Sequence, residues 1–83
     1  MENLNGYMNI SDLPLIATLH YFGIREENIS RSEFGKTYFN FCVSNEIHEI
    51  IRKFYAGLLH VDPAAFALQM KTVKNRIYSE QKL

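Results

Sequence analysis

One cysteine and three histidines are the residues in this 83-residue chain with most scope for covalent or metal chemistry. A thiol nucleophile needs a base and an environment that stabilises its thiolate, and Cys42 with His20, His48 or His60 is the available set. Cys42 lies within the run Thr37-Tyr38-Phe39-Asn40-Phe41-Cys42-Val43. That run reads as a strand, not as the helix N-terminus or exposed loop where thiolates are favoured. Zinc sites show close ligand pairs such as C-x₂-C or H-x₃-H, whereas these histidines are 28 and 12 residues apart and Cys42 has no second cysteine. His60 and Asp62 flank Val61, but Asp62 is needed to cap a helix. The four glycines form neither a G-x-x-x-x-G-K-[ST] nor a G-x-G-x-x-G loop. Glu26 and Glu27 sit in a charged stretch with no apolar shell to raise a carboxylate pKa for general acid work. The expectation is a protein that is not an enzyme, with no metal, cofactor or small-molecule substrate.

Two groups of residues can instead serve binding. Toward the C-terminus Lys71, Lys74, Asn75, Tyr78 and Lys82 supply cations, an amide and an aromatic ring along one helical stripe, with Arg76 a further candidate on the same helix. Such a stripe suits phosphates and bases, although cations near a helix C-terminus also suit the helix dipole in a merely solvated face. The second group comes from the aromatic content, five tyrosines and six phenylalanines, with the adjacent pairs Tyr21-Phe22, Tyr38-Phe39 and Phe54-Tyr55. Adjacent residues of a strand point to opposite faces, so a sheet that buries Phe39, Phe41 and Val43 turns Tyr38, Asn40 and Cys42 outward. Tyr38, Asn40 and Cys42, with Tyr21 and Tyr55, are therefore the candidate protein-contact residues, because tyrosine joins large apolar area to a polar tip.

The elements that must position these groups follow from periodicity and caps. Residues 1–10 lack a clear period and read as a flexible N-terminal arm, with one domain over residues 11–83. Ser11 or Asp12 as cap, Pro14 in the first turn and Gly23 at the exit frame a short helix of about 11 residues carrying Leu13, Ile16, Ala17, Leu19, His20 and Tyr21. Ile24–Ser32 and Thr37–Val43 read as an antiparallel hairpin turning at Gly35, both strands being edges open to β-augmentation. Ser44 or Asn45 caps a second helix whose stripe is Ile47, Ile50, Ile51, Phe54 and Leu58, ending near Gly57. Asp62-Pro63 starts a third, with Phe66, Met70, Val73 and Ile77 on its inner face. The fold expected is α+β: a short N-terminal helix, a β-hairpin, then two helices packed on one face of the hairpin.

Composition narrows the class further. The formal net charge is zero, with residues 1–42 holding three bases against five acids and residues 43–83 six against four. That balance disfavours a general nucleic-acid coat and an acidic mimic alike. A single cysteine leaves no intramolecular disulfide framework, which fits a reducing compartment and places the protein in the cytoplasm. The first residues, Met1-Glu2-Asn3-Leu4-Asn5-Gly6, lack the basic and apolar regions of a signal peptide, and no membrane contact is expected.

The succession Asp12-Leu13-x-Leu15-x-Ala17-x-Leu19 with Gly23, Tyr38-Phe39-x-Phe41, Phe54-Tyr55-x-Gly57-x-Leu59-x-Val61-Asp62-Pro63, then Phe66, Lys71, Lys74 and Tyr78 resembles a family of small bacterial proteins of unknown function. The resemblance spans about residues 11–78 and implies an origin in bacteria, phages or other mobile elements. It brings no activity; it implies a clearer first hairpin strand than Ile24–Arg31 offers. The resulting expectation is a small non-enzymatic protein-interaction module of phage or mobile-element type, an adaptor or inhibitor of larger assemblies such as host-defence complexes, or a homodimer. The alternative is a nucleic-acid accessory protein that uses the basic stripe.

Overall fold

A computed structural model describes residues 6–81. The strand expected at Thr37 forms as β3 (Thr37–Cys42), but it is the middle of a three-stranded antiparallel sheet and not an edge. On one side it pairs with β1 (Tyr7–Ile10), and on the other with β2 (Asn28–Arg31). Part of the expected flexible arm is thus a strand, and the chain opens on β1 rather than on a helix. Four residues containing an asparagine give little local signal, and β1 gains its order from β3, which places Met8 and Ile10 beside Phe41 and Phe39. The first hairpin strand is shorter than expected: Ile24 donates its N–H to the carbonyl of Leu19 at the end of the preceding helix, and contact with β3 begins only at Glu27, whose N–H donates to the Asn40 carbonyl at 2.8 Å. The hairpin turn is fixed by Gly35 at φ 87° and by the Ser32 hydroxyl, which accepts from the N–H groups of Phe34 and Lys36 at 3.2 and 3.1 Å.

Between β1 and β2 runs α1 (Leu13–Tyr21), nine residues long. Since β1 and β2 are both antiparallel to β3, they are parallel to each other, and β1-α1-β2 is a βαβ unit split by the insertion of β3. The side chain of Asp12 accepts from the N–H of Leu15 at 3.2 Å to start α1. Every residue from Leu15 to His20 is buried, which matches a helix that is apolar around most of its circumference. It packs between β3, α2 (Asn45–Ala56) and α3 (Pro63–Gln81), the longest shared surface being with α3.

The caps of the last two helices follow the expected chemistry. The Ser44 hydroxyl accepts from the N–H of Ile47 at 3.1 Å, and Gly57 ends α2 in the left-handed region at φ 72°. An Asp62 carboxylate oxygen accepts from the N–H of Ala65 at 2.8 Å, ahead of Pro63. On α3, Val73 is fully buried, with Phe66, Met70 and Ile77 packed around it. The Cα trace is only 18 Å thick along its shortest axis. With layers about 10 Å apart, that is one sheet and one layer of helices, so among the described residues the other sheet face is bare. Among the described residues no helix is long and apolar enough to cross a membrane.

The covered face of β3 makes two stability tests. Phe39 is fully buried in the core, so Phe39→Ala is expected to cost about 3–5 kcal/mol in urea denaturation. Thr37 is buried with a hydroxyl that has no hydrogen-bond partner among the described residues. Thr37→Val removes that unpaired group, and its unfolding midpoint should move to higher urea, by about 1 kcal/mol in stability.

Candidate protein-interaction surface

The bare face of the sheet is built from alternate residues of three strands: Tyr7 and Asn9 on β1, Tyr38, Asn40 and Cys42 on β3, Asn28 and Ser30 on β2. None of the seven is charged. The register aligns Asn9 and Asn28 on either side of Asn40, giving a row of three asparagines across the sheet. The side-chain N–H of Asn40 donates to the side-chain oxygen of Asn9 at 2.7 Å. Asn40 is only 9% exposed. Beside the row, Tyr7, Asn9, Glu27, Asn28, Ser30 and Asn40 line an open depression of about 510 Å³. Tyr7, at 60% exposure, forms its aromatic wall.

The five residues expected to form one protein-contact surface do not meet. Tyr38, Asn40 and Cys42 share the bare face, with Tyr38 half-buried and Cys42 exposed. Lys36 lies over the Tyr38 ring at 6.0 Å. Tyr21 ends α1, and its hydroxyl accepts from the Asp62 N–H at 2.9 Å, tying the start of α3 to α1. Tyr55 is exposed on α2. The β-augmentation expected on Thr37–Val43 is not available, since both sides of β3 are paired; the free edges belong to β1 and β2. Tyr7, Asn9, Asn28 and Ser30 were not among the expected contact residues. Strand alternation could have grouped them only once β1 and the register were known.

The candidate basic stripe is also altered. Lys71, Lys74, Asn75 and Tyr78 are exposed on α3, and Lys82 lies outside the described residues. Arg76 instead reaches back to Glu26, its Nη1 lying 3.0 Å from Oε2. The other oxygen of Glu26 accepts from Nε2 of His20 at 2.7 Å, while Nδ1 of His20 faces Nη1 of Arg25 at 3.4 Å. These partners assign the His20 proton to Nε2, since a guanidinium can only donate. The His20 side chain is fully enclosed and that of Glu26 is 6% exposed.

This network joins α1, the segment entering β2, and α3. The sequence offered only a histidine on an apolar helix and a glutamate six positions later. The imidazole stands against the covered side of β3, with centroids 6.3 and 6.4 Å from those of Phe39 and Phe41. Cys42 points to the bare side, so the sheet separates the two. His48 and His60 are exposed on α2 and on the loop before α3. Among the described residues no three His, Cys, Asp or Glu side chains group as metal ligands.

A split βαβ sheet, roofed on one side by three helices and carrying an uncharged Tyr–Asn–Ser face on the other, defines a small α+β domain. Residues 5–79 match the family model described as a domain of unknown function, DUF5659, and the chain belongs to that family. No curated protein and no solved structure matches the chain.

The Glu26 network sets a pH dependence. Burial disfavours its charge, but hydrogen bonds from its own backbone and from His20, with the charge of Arg76, outweigh burial and hold its pKa below the ordinary glutamate value. A carboxylate with a lowered folded-state pKa contributes stability that is present above its unfolded pKa and lost as pH falls through the folded one. Acid titration of the unfolding midpoint should therefore show a loss that begins as pH falls into the ordinary glutamate range and continues below it. Glu26→Gln should be less stable at neutral pH and show a shallower acid slope, and an unchanged slope would exclude Glu26 as its source.

Proposed function

We propose that this domain is a non-enzymatic protein-interaction module, of the adaptor or inhibitor kind, whose working surface is the bare face of the sheet. The observation that carries this reading is the composition of that face. Tyrosine, asparagine and serine are the residues that binding surfaces use when a rigid aromatic anchor is combined with adaptable hydrogen bonding. The seven strand residues of the face are uncharged, with Glu27 and Lys36 at its margins, so a partner that covers its centre meets a low desolvation penalty. The rigidity comes from β3, fixed on both sides, and from the Asn9–Asn40 hydrogen bond. An exposed, unpaired Cys42 on the same face fits the reducing cytoplasm. A second copy of the chain is one partner that such a face can meet.

The competing reading, a nucleic-acid accessory protein, retains Lys71, Lys74, Asn75 and Tyr78 on the outer side of α3 but has Arg76 committed to Glu26. Substitutions on the two surfaces separate the readings. Tyr38→Ala combined with Asn28→Lys should reduce partner capture from the native host at least about tenfold, as loss of an interface anchor does. Lys71→Glu with Lys74→Glu should leave capture intact. The reverse pattern, accompanied by salt-sensitive retardation of random duplex by the unmodified protein, would replace the protein-interaction reading with the nucleic-acid one.

A further inference from the structure

We infer that the depression between Tyr7 and the asparagine row receives an arginine side chain of the partner protein. The inference rests on the protein-interaction reading and gives the contact its chemistry. Among the six lining residues Glu27 carries the only charge, so the depression favours a cation. Its floor is rich in acceptors. Asn40 is 91% buried, donates a side-chain N–H to Asn9 and lines the depression. Asn28 and Ser30 bring further side-chain oxygens to the same space.

A guanidinium matches this set better than an ammonium does. It is planar, it only donates, and it presents five N–H groups in a fixed fork, so one group can meet a carboxylate and an amide oxygen together. Its flat face can lie on the Tyr7 ring, an arrangement that a lysine head reproduces only as a point charge. The volume of about 510 Å³ also leaves room for the aliphatic stem that accompanies the head. Arginine is among the residues that most often anchor protein interfaces, and Glu27 with the amides of Asn28 and Asn40 supplies the acceptors that its fork needs.

The probe is Nα-acetyl-arginine N-methylamide, titrated into the intact ¹⁵N-labelled protein, with the citrulline and lysine counterparts as comparisons. The expected result is a saturable shift of the side-chain amide signals of Asn9, Asn28 and Asn40 in the millimolar range, with lysine weaker and the uncharged citrulline compound at least about tenfold weaker. Glu27→Gln should weaken the arginine compound by at least about tenfold, and Tyr7→Leu, which keeps bulk and loses the π face, should weaken it as well. No saturable shift, equal response to citrulline, or full retention by Glu27→Gln would each overturn the inference. If the arginine compound fails while Tyr38→Ala with Asn28→Lys still abolishes partner capture, the surface stands and only its arginine pocket falls. If both fail, the surface itself is wrong.

Discussion

The structure depends on the burial of Phe39 and Phe41 beneath the middle strand of a sheet only three strands wide. Both side chains are fully enclosed, and so are Ile16 and Leu19 of the helix that meets them. For a chain of 83 residues the margin between apolar burial and chain entropy is narrow, so two buried phenylalanines on one strand carry a large share of the favourable side. Their enclosure requires neighbours on both sides. β1 supplies Met8 and Ile10, and β2 supplies Ile29.

That arrangement gives α1 its position and explains its polar exception. A helix buried along Leu15–His20 must satisfy any polar side chain internally, and His20 is the one whose head group has the farthest to reach. It finds Glu26, which in turn holds Arg76 of α3. The network does not touch the bare face. Its role is to hold the helix layer against the segment that enters β2, and it draws from the outer side of α3 a cation that would otherwise be available to phosphate. Thr18, also buried on α1, needs no such partner, because its hydroxyl donates to the carbonyl of Pro14 at 2.8 Å.

All three helices lie on one side of the sheet, and among the described residues no element covers the other face. The residues placed there suit exposure without charge. The asparagine row shows how such a face stays ordered, for Asn9 and Asn40 face each other where antiparallel side chains approach closely, and each satisfies part of the other. Amide groups left over from that pairing remain to meet a partner. A binding surface and a stable sheet face therefore come from the same residues.

Local rules made much of the framework legible in the sequence. The caps at Asp12, Ser44 and Asp62, the exit at Gly57, the β3 alternation and the Phe66–Ile77 stripe each act within a few residues, and each is present as expected. Even the outward turn of Tyr38, Asn40 and Cys42 follows from alternation alone. What lay beyond the sequence was every feature fixed by a partner distant in the chain. Tyr7–Ile10 has little strand signal of its own and is a strand because β3 pairs with it 31 positions away at Asn9 and Asn40. The dispersal of Tyr21 and Tyr55 from the bare face, the capture of Arg76 by Glu26 and the meeting of Tyr7 with Asn28 have the same cause. The sequence by itself determined which residues were apolar, which could cap and which strand faces they formed; only tertiary pairing decided which of those faces remained open and which polar groups were left there to bind.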